Sequence, residues 1–491
     1  MNDWPADPKL DAGLQRLVDA ELAAARADAI GPSARRVVRP GRNGAAFAGL
    51  AILAAIAIVA SLALRGANTT KPGTGGPSAS DGGVTSTKPT PTPSATSQPS
   101  FIPITPADTI RPIQPVVSTT PSPWFRATGA PNHPYDSATL LLDGRVLFAG
   151  GYDPEVPGFL STAELYDPAT GKFTPTGSMI TGRVYETATR LLDGRVLFVG
   201  GLVTSQTPNS ETSSAEIYDP KTGTFSPTGS MGEARQFHTA TLLRDGKVLI
   251  TGGFDVNRPA APMAFHPGAE RQTIRGAMTK ERGSMASAEL YDPTTGTFSP
   301  TGSMTEIRDG HTAALLADGR VLVFGNATGG GGDPTDTSAE VYDPKTGAFT
   351  VTGSTVVARA SAHATPLVDG LILITDGSTD GVKAEIYNPK TGKFSVTGEL
   401  KVARSSFSAT LLSDGRVLIA GGDGVNAGNA TSSAELYDPK TGAFTLAGSM
   451  TAARSGPVAT LLPDGQVLIA EGDYVIDKGS VLVRSAELYQ P

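Results

Sequence analysis

From residue 123 onward, short runs of alternating apolar and polar residues recur between turn signals. A run such as "HTATLLR" (238–244) leads into Asp-Gly, and "KVLITGG" (247–253) follows it. A second alternating run, "SAELYDP" (433–439), leaves a variable stretch and turns through "KTG" into "AFTLAG". Period-two alternation bounded by Asp-Gly and Gly-rich turns predicts strands joined as hairpins. Each unit thus predicts four strands: a hairpin, a variable loop, then a second hairpin. The Asp of the Asp-Gly pair falls at Asp143, Asp193, Asp245, Asp318, Asp369, Asp414 and Asp464, with spacings of 50, 52, 73, 51, 45 and 50. Seven four-stranded units at a period near 50, one carrying a large insertion, predict a seven-bladed β-propeller.

The two ends of this region complement each other. "SAELYQP" (485–491) closes a unit of three strands with no fourth. "SPWFRATG" (122–129) matches the fourth-strand segment "GTFSPTGS" with no strand before it, and Phe125 precedes Gly129 as Phe225 precedes Gly229. In a closed ring the two pieces form one blade, with 124–128 paired to the strand through Tyr489 and Trp124 packed inside it. Such closure protects sheet edges and places the end of the propeller at Pro491.

The units resemble kelch repeats over about 370 residues. The residues that carry the resemblance are the double glycines at 150–151, 200–201, 252–253 and 421–422, and the Tyr after Ala-Glu-aliphatic in all seven units. Phe stands where the fourth kelch strand usually has Trp, and later units carry Gly325-Asn326, Asp376-Gly377 and Glu471-Gly472 at the glycine pair. The resemblance implies a kelch propeller of the galactose oxidase central-domain kind. In that group, copper radical enzymes use a Tyr crosslinked to Cys and two His ligands. This chain has no cysteine, which removes the crosslinked cofactor, and no cofactor or metal is expected.

The first 122 residues follow other rules. Leu10, Leu14, Leu17 and Leu22 recur near helical spacing and predict an amphipathic helix over 8–29, within a charged segment 1–43. Residues 44–64 carry no charge over 21 positions. At about 1.5 Å per residue they predict a helix of roughly 31 Å, long enough to span a membrane. Arg35, Arg36, Arg39 and Arg42 precede this run, whereas only Arg65 and Lys71 follow closely. The bias predicts a single-pass cell-membrane protein with its N-terminus cytoplasmic and its propeller extracytoplasmic. Residues 65–122 are rich in Pro, Thr, Ser and Gly and predict a disordered linker.

Composition narrows the chemistry. With 58 glycines, 38 prolines and few aromatics, the chain suits short strands and turns rather than helical packing. A net charge of −7 argues against a nucleic-acid partner. Three of the five histidines, His238, His311 and His363, read as equivalent first-strand positions and as repeat chemistry. Among catalytic patterns, neither a nucleophile elbow nor a phosphate loop is present.

Candidate binding residues follow from topology. Antiparallel order puts the uniform Asp-Gly and Asp-Pro-x-Thr-Gly turns on one face. The variable loops and the blade-to-blade links share the other, where a rigid scaffold would build a binding surface. The longest loop, in the third unit, offers Arg258, Phe265, His266, Arg271, Arg275 and Lys280 for an anionic or hydroxyl-rich ligand. Arg183, Arg235, Arg308, Arg359, Arg404 and Arg454 each stand ten residues before their Asp-Gly. They read either as an anion-binding ring or as ligands of a neighbouring blade's backbone. Asp333 and Asp336 fall short of the six or more oxygens calcium takes and read as a plain loop. The expected function is a membrane-anchored recognition module for an extracellular glycan or protein. The alternatives are a glycan-processing propeller without a copper radical centre, or an external sensor whose residues 1–43 bind a cytoplasmic regulator in the manner of a membrane anti-sigma factor.

Overall fold

The computed structural model describes residues 122–491 apart from 204–209, 258–282, 327–335, 378–380, 425–429 and 477–478. The predicted cytoplasmic segment, membrane span and linker lie outside the described residues, as do Arg258, Phe265, His266, Arg271, Arg275, Lys280 and Asp333. Among the described residues no helix is long and apolar enough to cross a membrane.

The described chain is all-β and forms seven antiparallel four-stranded sheets. Blade one runs through Ser137–Leu140, Val146–Ala149, Ala163–Asp167 and Lys172–Pro175. Five further blades repeat this order as far as Ala443–Ser449. Blade seven takes Val458–Leu461, Val467–Ala470 and Ala486–Tyr489 from the C-terminal end and its outer strand, Phe125–Ala127, from the N-terminal end. First strands of successive blades are neighbours round the ring, and that of blade seven neighbours that of blade one.

The second strands are buried on both faces. Val146, Leu147, Phe148 and Ala149 are all buried, and the equivalent four residues repeat this in the other blades. Each sheet has a neighbour against both of its faces, so both sets of side chains enter a core. The interface between blades seven and one shows the pattern: Val146, Phe148 and Tyr166 pack with Leu468, Ala470 and Leu488. Burial of this kind, at roughly 25 cal/mol per Å² of apolar surface, is the main force joining blades.

The turns explain two fixed residues of each unit. Leu141 N–H donates to Arg145 O at 2.8 Å, and Asp143 Oδ1 accepts the Arg145 N–H at 3.0 Å. Gly144 takes φ of 87°, so this is a three-residue loop with a left-handed glycine rather than a two-residue hairpin turn. Blades are then clasped by a Thr–Tyr contact. A threonine just past the fourth strand or, for Thr397, within it, lies between 2.8 and 3.0 Å from the next blade's tyrosine hydroxyl at Thr128–Tyr166, Thr176–Tyr218, Thr228–Tyr291, Thr301–Tyr342, Thr352–Tyr387 and Thr397–Tyr437. At the junction of blades six and seven Ala447 takes the threonine's place.

Ring closure follows the sequence reading, with one correction. Phe125, Arg126 and Ala127 pair with Tyr489, Leu488 and Glu487. The buried aromatic is Phe125, 4% exposed, whose ring lies 5.1 Å from that of Tyr489. Trp124 is 49% exposed: alternation turns it away once Phe125 takes the interior. Phe125→Ala should therefore destabilise the protein by about 3–5 kcal/mol, and Trp124→Ala by far less. Thermal unfolding of the two variants checks this, and equal midpoints would refute the packing described. Removal of residues 122–130 should lower the midpoint of the full chain further still.

Candidate functional site at the loop-face mouth

The six link arginines are scaffold groups. Each is fully buried and directs its guanidinium at the glutamate of the Ala-Glu-aliphatic-Tyr strand in the blade it leads into. The pairs are Arg183–Glu216, Arg235–Glu289, Arg308–Glu340, Arg359–Glu385, Arg404–Glu435 and Arg454–Glu487, at 2.7–3.5 Å. Arg404 also donates to the carbonyls of Gly421 at 2.9 Å and Ser433 at 2.7 Å. The glutamate is the hub, because it takes link backbone as well: Lys401 and Val402 N–H donate to Glu435 at 2.7 and 3.0 Å. Burial draws the pKa of Arg404 and Arg454 down against the pull of their glutamates. A guanidinium enclosed in this way does not face solvent, so an anion-binding ring is not what these six residues form. The bond to blade backbone is present, and the carboxylate partner is what sequence reasoning missed. The signal was there: one Arg and one Glu recur in fixed register in six units.

Blade one departs from the rule. Asn132 supplies its backbone N–H to Glu164 at 2.9 Å and adds a side-chain amide contact. His133, at the position of the link arginines, instead places Nδ1 3.0 Å from Asp153. Arg484 of blade seven donates to the same carboxylate at 3.0 Å. Burial works to raise the Asp153 pKa, but hydrogen bonds from His133 and from Glu155 N–H, with the Arg484 charge, outweigh it and hold it below the usual carboxylate range.

His238 and His311 are equivalent buried residues just before their first strands. His363 is not their equivalent: it opens its strand opposite Thr375, the place held by Thr239 and Thr312 in the other two blades. His238 Nε2 lies 3.0 Å from Thr187 Oγ1, and His311 Nε2 lies 3.1 Å from Thr239 and Thr251. Burial lowers both pKa values to about 3, with nearby arginine charge adding to the shift.

In six of the seven blades the residue two places before the first strand, at the mouth, shares one backbone conformation; in blade one the position is Tyr135, which does not. Tyr185, Phe237, Gly310, Ser361, Ser406 and Gly456 all adopt left-handed backbone, with φ between 52° and 60°. Successive members are linked round the rim, Gly310 N–H donating to Phe237 O at 2.8 Å and Gly456 N–H to Ser406 O at 2.7 Å. Tyr185 and Phe237 are half-buried, with ring centroids 4.7 Å apart. The sector of blades five to seven is lined instead by carboxylates and hydroxyls. Ser406 N–H donates to Asp376 at 2.8 Å, and Ser455 Oγ to Asp423 at 2.6 Å. Burial first, and for Asp423 the neighbouring Asp473 and Asp376 charges, raise the pKa of Asp376 and Asp423.

Comparison with known proteins fits this architecture. The Kelch motif model matches residues 404–451, which contain all four strands of blade six. Among solved structures, the chain resembles a novel fungal alcohol oxidase of the AA5 family in complex with copper, at 16% identity over 75% of each chain and a TM-score of 0.55. At that identity the likeness concerns the fold. No curated protein matches the sequence. The molecule is thus a seven-bladed β-propeller carrying a Kelch motif, an architecture that commonly serves as a binding module. The copper centre implied by the wider resemblance does not fit these residues. The chain has no cysteine, and among the described residues no group of three His, Cys, Asp or Glu side chains is arranged to hold a metal ion.

Two outcomes are expected from the buried groups. Arg404→Leu strands Glu435 in the interior and should cost about 3–5 kcal/mol. A variant with unchanged denaturant midpoint would show the pair to be dispensable. For the histidines, the folded pKa lies below the ordinary 6.5, so the unfolded chain binds more protons between pH 6.5 and about 3. Stability should fall as pH drops through that window, by about 1.4 kcal/mol per pH unit per histidine. His311→Gln should flatten the slope of melting temperature against pH, and an unaltered slope would exclude this cause.

Proposed function

We propose that this chain is a membrane-anchored recognition module that presents its propeller outside the cell and binds a glycan or protein on the loop-rich face. The observation that carries this reading is the difference between the two faces. One is tiled by near-identical Asp-Gly and Thr-Gly turns. The other bears loops of unequal length, a half-buried aromatic pair and a carboxylate-lined sector round a single mouth. A rigid ring with variation confined to one face is how a scaffold builds a ligand surface. The arginine-flanked apolar run at 44–64 and the linker after it supply the tether in this reading.

Glycan and surface-protein arrays probed with the full chain in neutral detergent should return ligands that saturate. Exchange of 258–282 for a short Gly-Ser turn should leave the fold intact, because stability varies slowly with loop length. The same exchange should weaken those ligands at least roughly tenfold, and substitutions at Leu142 or Leu192, on the uniform face, should not. Binding lost only on the uniform face would invert the assignment. Protease treatment of intact cells should release the propeller by cleavage between 66 and 121, and a propeller protected until lysis would remove the extracytoplasmic reading.

A further inference from the structure

The uniform face varies at one position of each blade, the residue just before Asp-Gly. Arg244 and Ser413 serve there in blades three and six, so the turn itself does not call for an apolar side chain. Blades one, two and five nevertheless place Leu142, Leu192 and Val368 at this position, 65%, 64% and 75% exposed. Each reaches over the turn of the next blade. A Cβ on Gly194 would stand 2.7 Å from Leu142 Cδ1, and one on Gly246 would stand 3.2 Å from Leu192 Cδ1. Pro463 lies over Gly144 in the same way, so Pro463, Leu142 and Leu192 make a continuous apolar arc across three adjacent blades. Around it, four Asp-Gly turns close an ion pair with the arginine two residues on, as Asp143–Arg145 and Asp414–Arg416 do at 2.6 Å. Every turn of this face lies among the described residues. A contiguous exposed apolar arc in a frame of closed ion pairs marks an interaction surface rather than scatter.

The chain enters the propeller on this same face. At five junctions the glycine after the fourth strand donates its N–H to the turn glycine of the next blade, as Gly177 does to Gly223 at 3.0 Å. Gly448 of blade six instead faces Ser122, whose side chain a Cβ at 448 would strike. Ser122 thus stands where the other blades have their third-to-fourth turn. Beside it Trp124 O accepts Gln490 N–H at 2.8 Å, and Gln490 Oε1 accepts from Gln466, in the Asp-Gly turn of blade seven, at 3.1 Å. Trp124, 49% exposed, is therefore at the uniform-face end of the closing strand. A tether from the apolar run 44–64 arrives at this face, and the loop-rich face points away from it.

We infer that the uniform face docks on the lipid surface, with Trp124, Leu142, Leu192 and Val368 seated among the headgroups and the loop-rich face held outward. Aliphatic side chains and Trp settle at a bilayer interface. The exposed Lys221, Lys345, Lys390 and Lys440 of the neighbouring turns can keep their charges at headgroup level while their stems lie along apolar surface. The tether makes the contact intramolecular, so an affinity on the order of millimolar suffices to hold it. The inference rests on the membrane-anchored reading above and adds an orientation to it.

The test uses the full chain in phosphatidylcholine vesicles whose acyl chains carry a nitroxide close to the headgroup. The chain lacks cysteine, so Ala169→Cys on the uniform face and Ile180→Cys on a loop-face link each take a single fluorophore. The label at 169 should be quenched at least roughly threefold more than the label at 180. Trp124→Ser, Leu142→Ser, Leu192→Ser and Val368→Ser together should abolish that difference. They should shift the melting midpoint little, because these side chains are half or more exposed, and should leave array ligands of the loop face bound. Equal quenching at the two sites would overturn the docking, since the propeller would then hang free of the bilayer. A difference that survives the four substitutions would overturn the apolar arc as its cause. Leu142→Cys chains that cross-link to one another, with no quenching at 169, would give the face to a second copy and overturn the lipid assignment. A chain that does not float with the vesicles would remove the anchor reading and this inference with it. A chain that floats with its label at 169 unquenched would remove this inference alone.

Discussion

The structure depends on a carboxylate buried at each junction between blades. A glutamate on the third strand collects backbone N–H groups from the incoming link, and in six blades a guanidinium as well. Taking a charge out of water costs several kcal/mol, so the group persists only with its acceptors filled. That requirement fixes the path of the link, and the link fixes where the next first strand begins. Apolar packing between sheets supplies most of the attraction, but it is tolerant of small rotations. The polar hub is not, and it holds each blade at one angle to the next.

Much of this architecture was legible in the chain. Alternation, the Asp-Gly spacing and the incomplete first and last units led to four-stranded blades and to closure by Phe125–Ala127. What the pattern left open was which side chain enters the interior at the closing strand. Trp124 and Phe125 are adjacent and both aromatic, and only the register with Tyr489 decides between them. The link arginines posed a similar problem. Exposure depends on a partner 26 to 54 residues away, and a local pattern carries no distance. Both residue types recur in register, however, and recurrence in a scaffold marks pairing more often than binding.

The mouth was the least legible part. Tyr185 and Phe237 occupy a rim position that no periodicity announces, because the position is defined by backbone conformation rather than by residue type. Gly310 and Gly456 betray it only after the ring is assembled. His363 is a different case: it stands six residues before its Asp-Gly where His238 and His311 stand seven, so its offset could be counted in the sequence, and strand pairing shows the same. The positions that set one sector of the mouth apart from another are those where units differ, and a repeat search is built to overlook differences.

The split seventh blade also sets an order of assembly. Phe125 is made early and finds its partner Tyr489 only after every intervening blade has been synthesised. Until then the first sheet of the ring has no neighbour on one side, and Val146, Phe148 and Tyr166 have no apolar cover from blade seven. The outlay in loop-closure entropy is small, since it grows only with the logarithm of length. The outlay in time is larger, because long-range strand pairing is slow and leaves apolar edges open to other chains. Crowding of nascent copies is therefore the period of greatest aggregation risk for this protein, and it ends when the oldest strand of the propeller closes on the youngest.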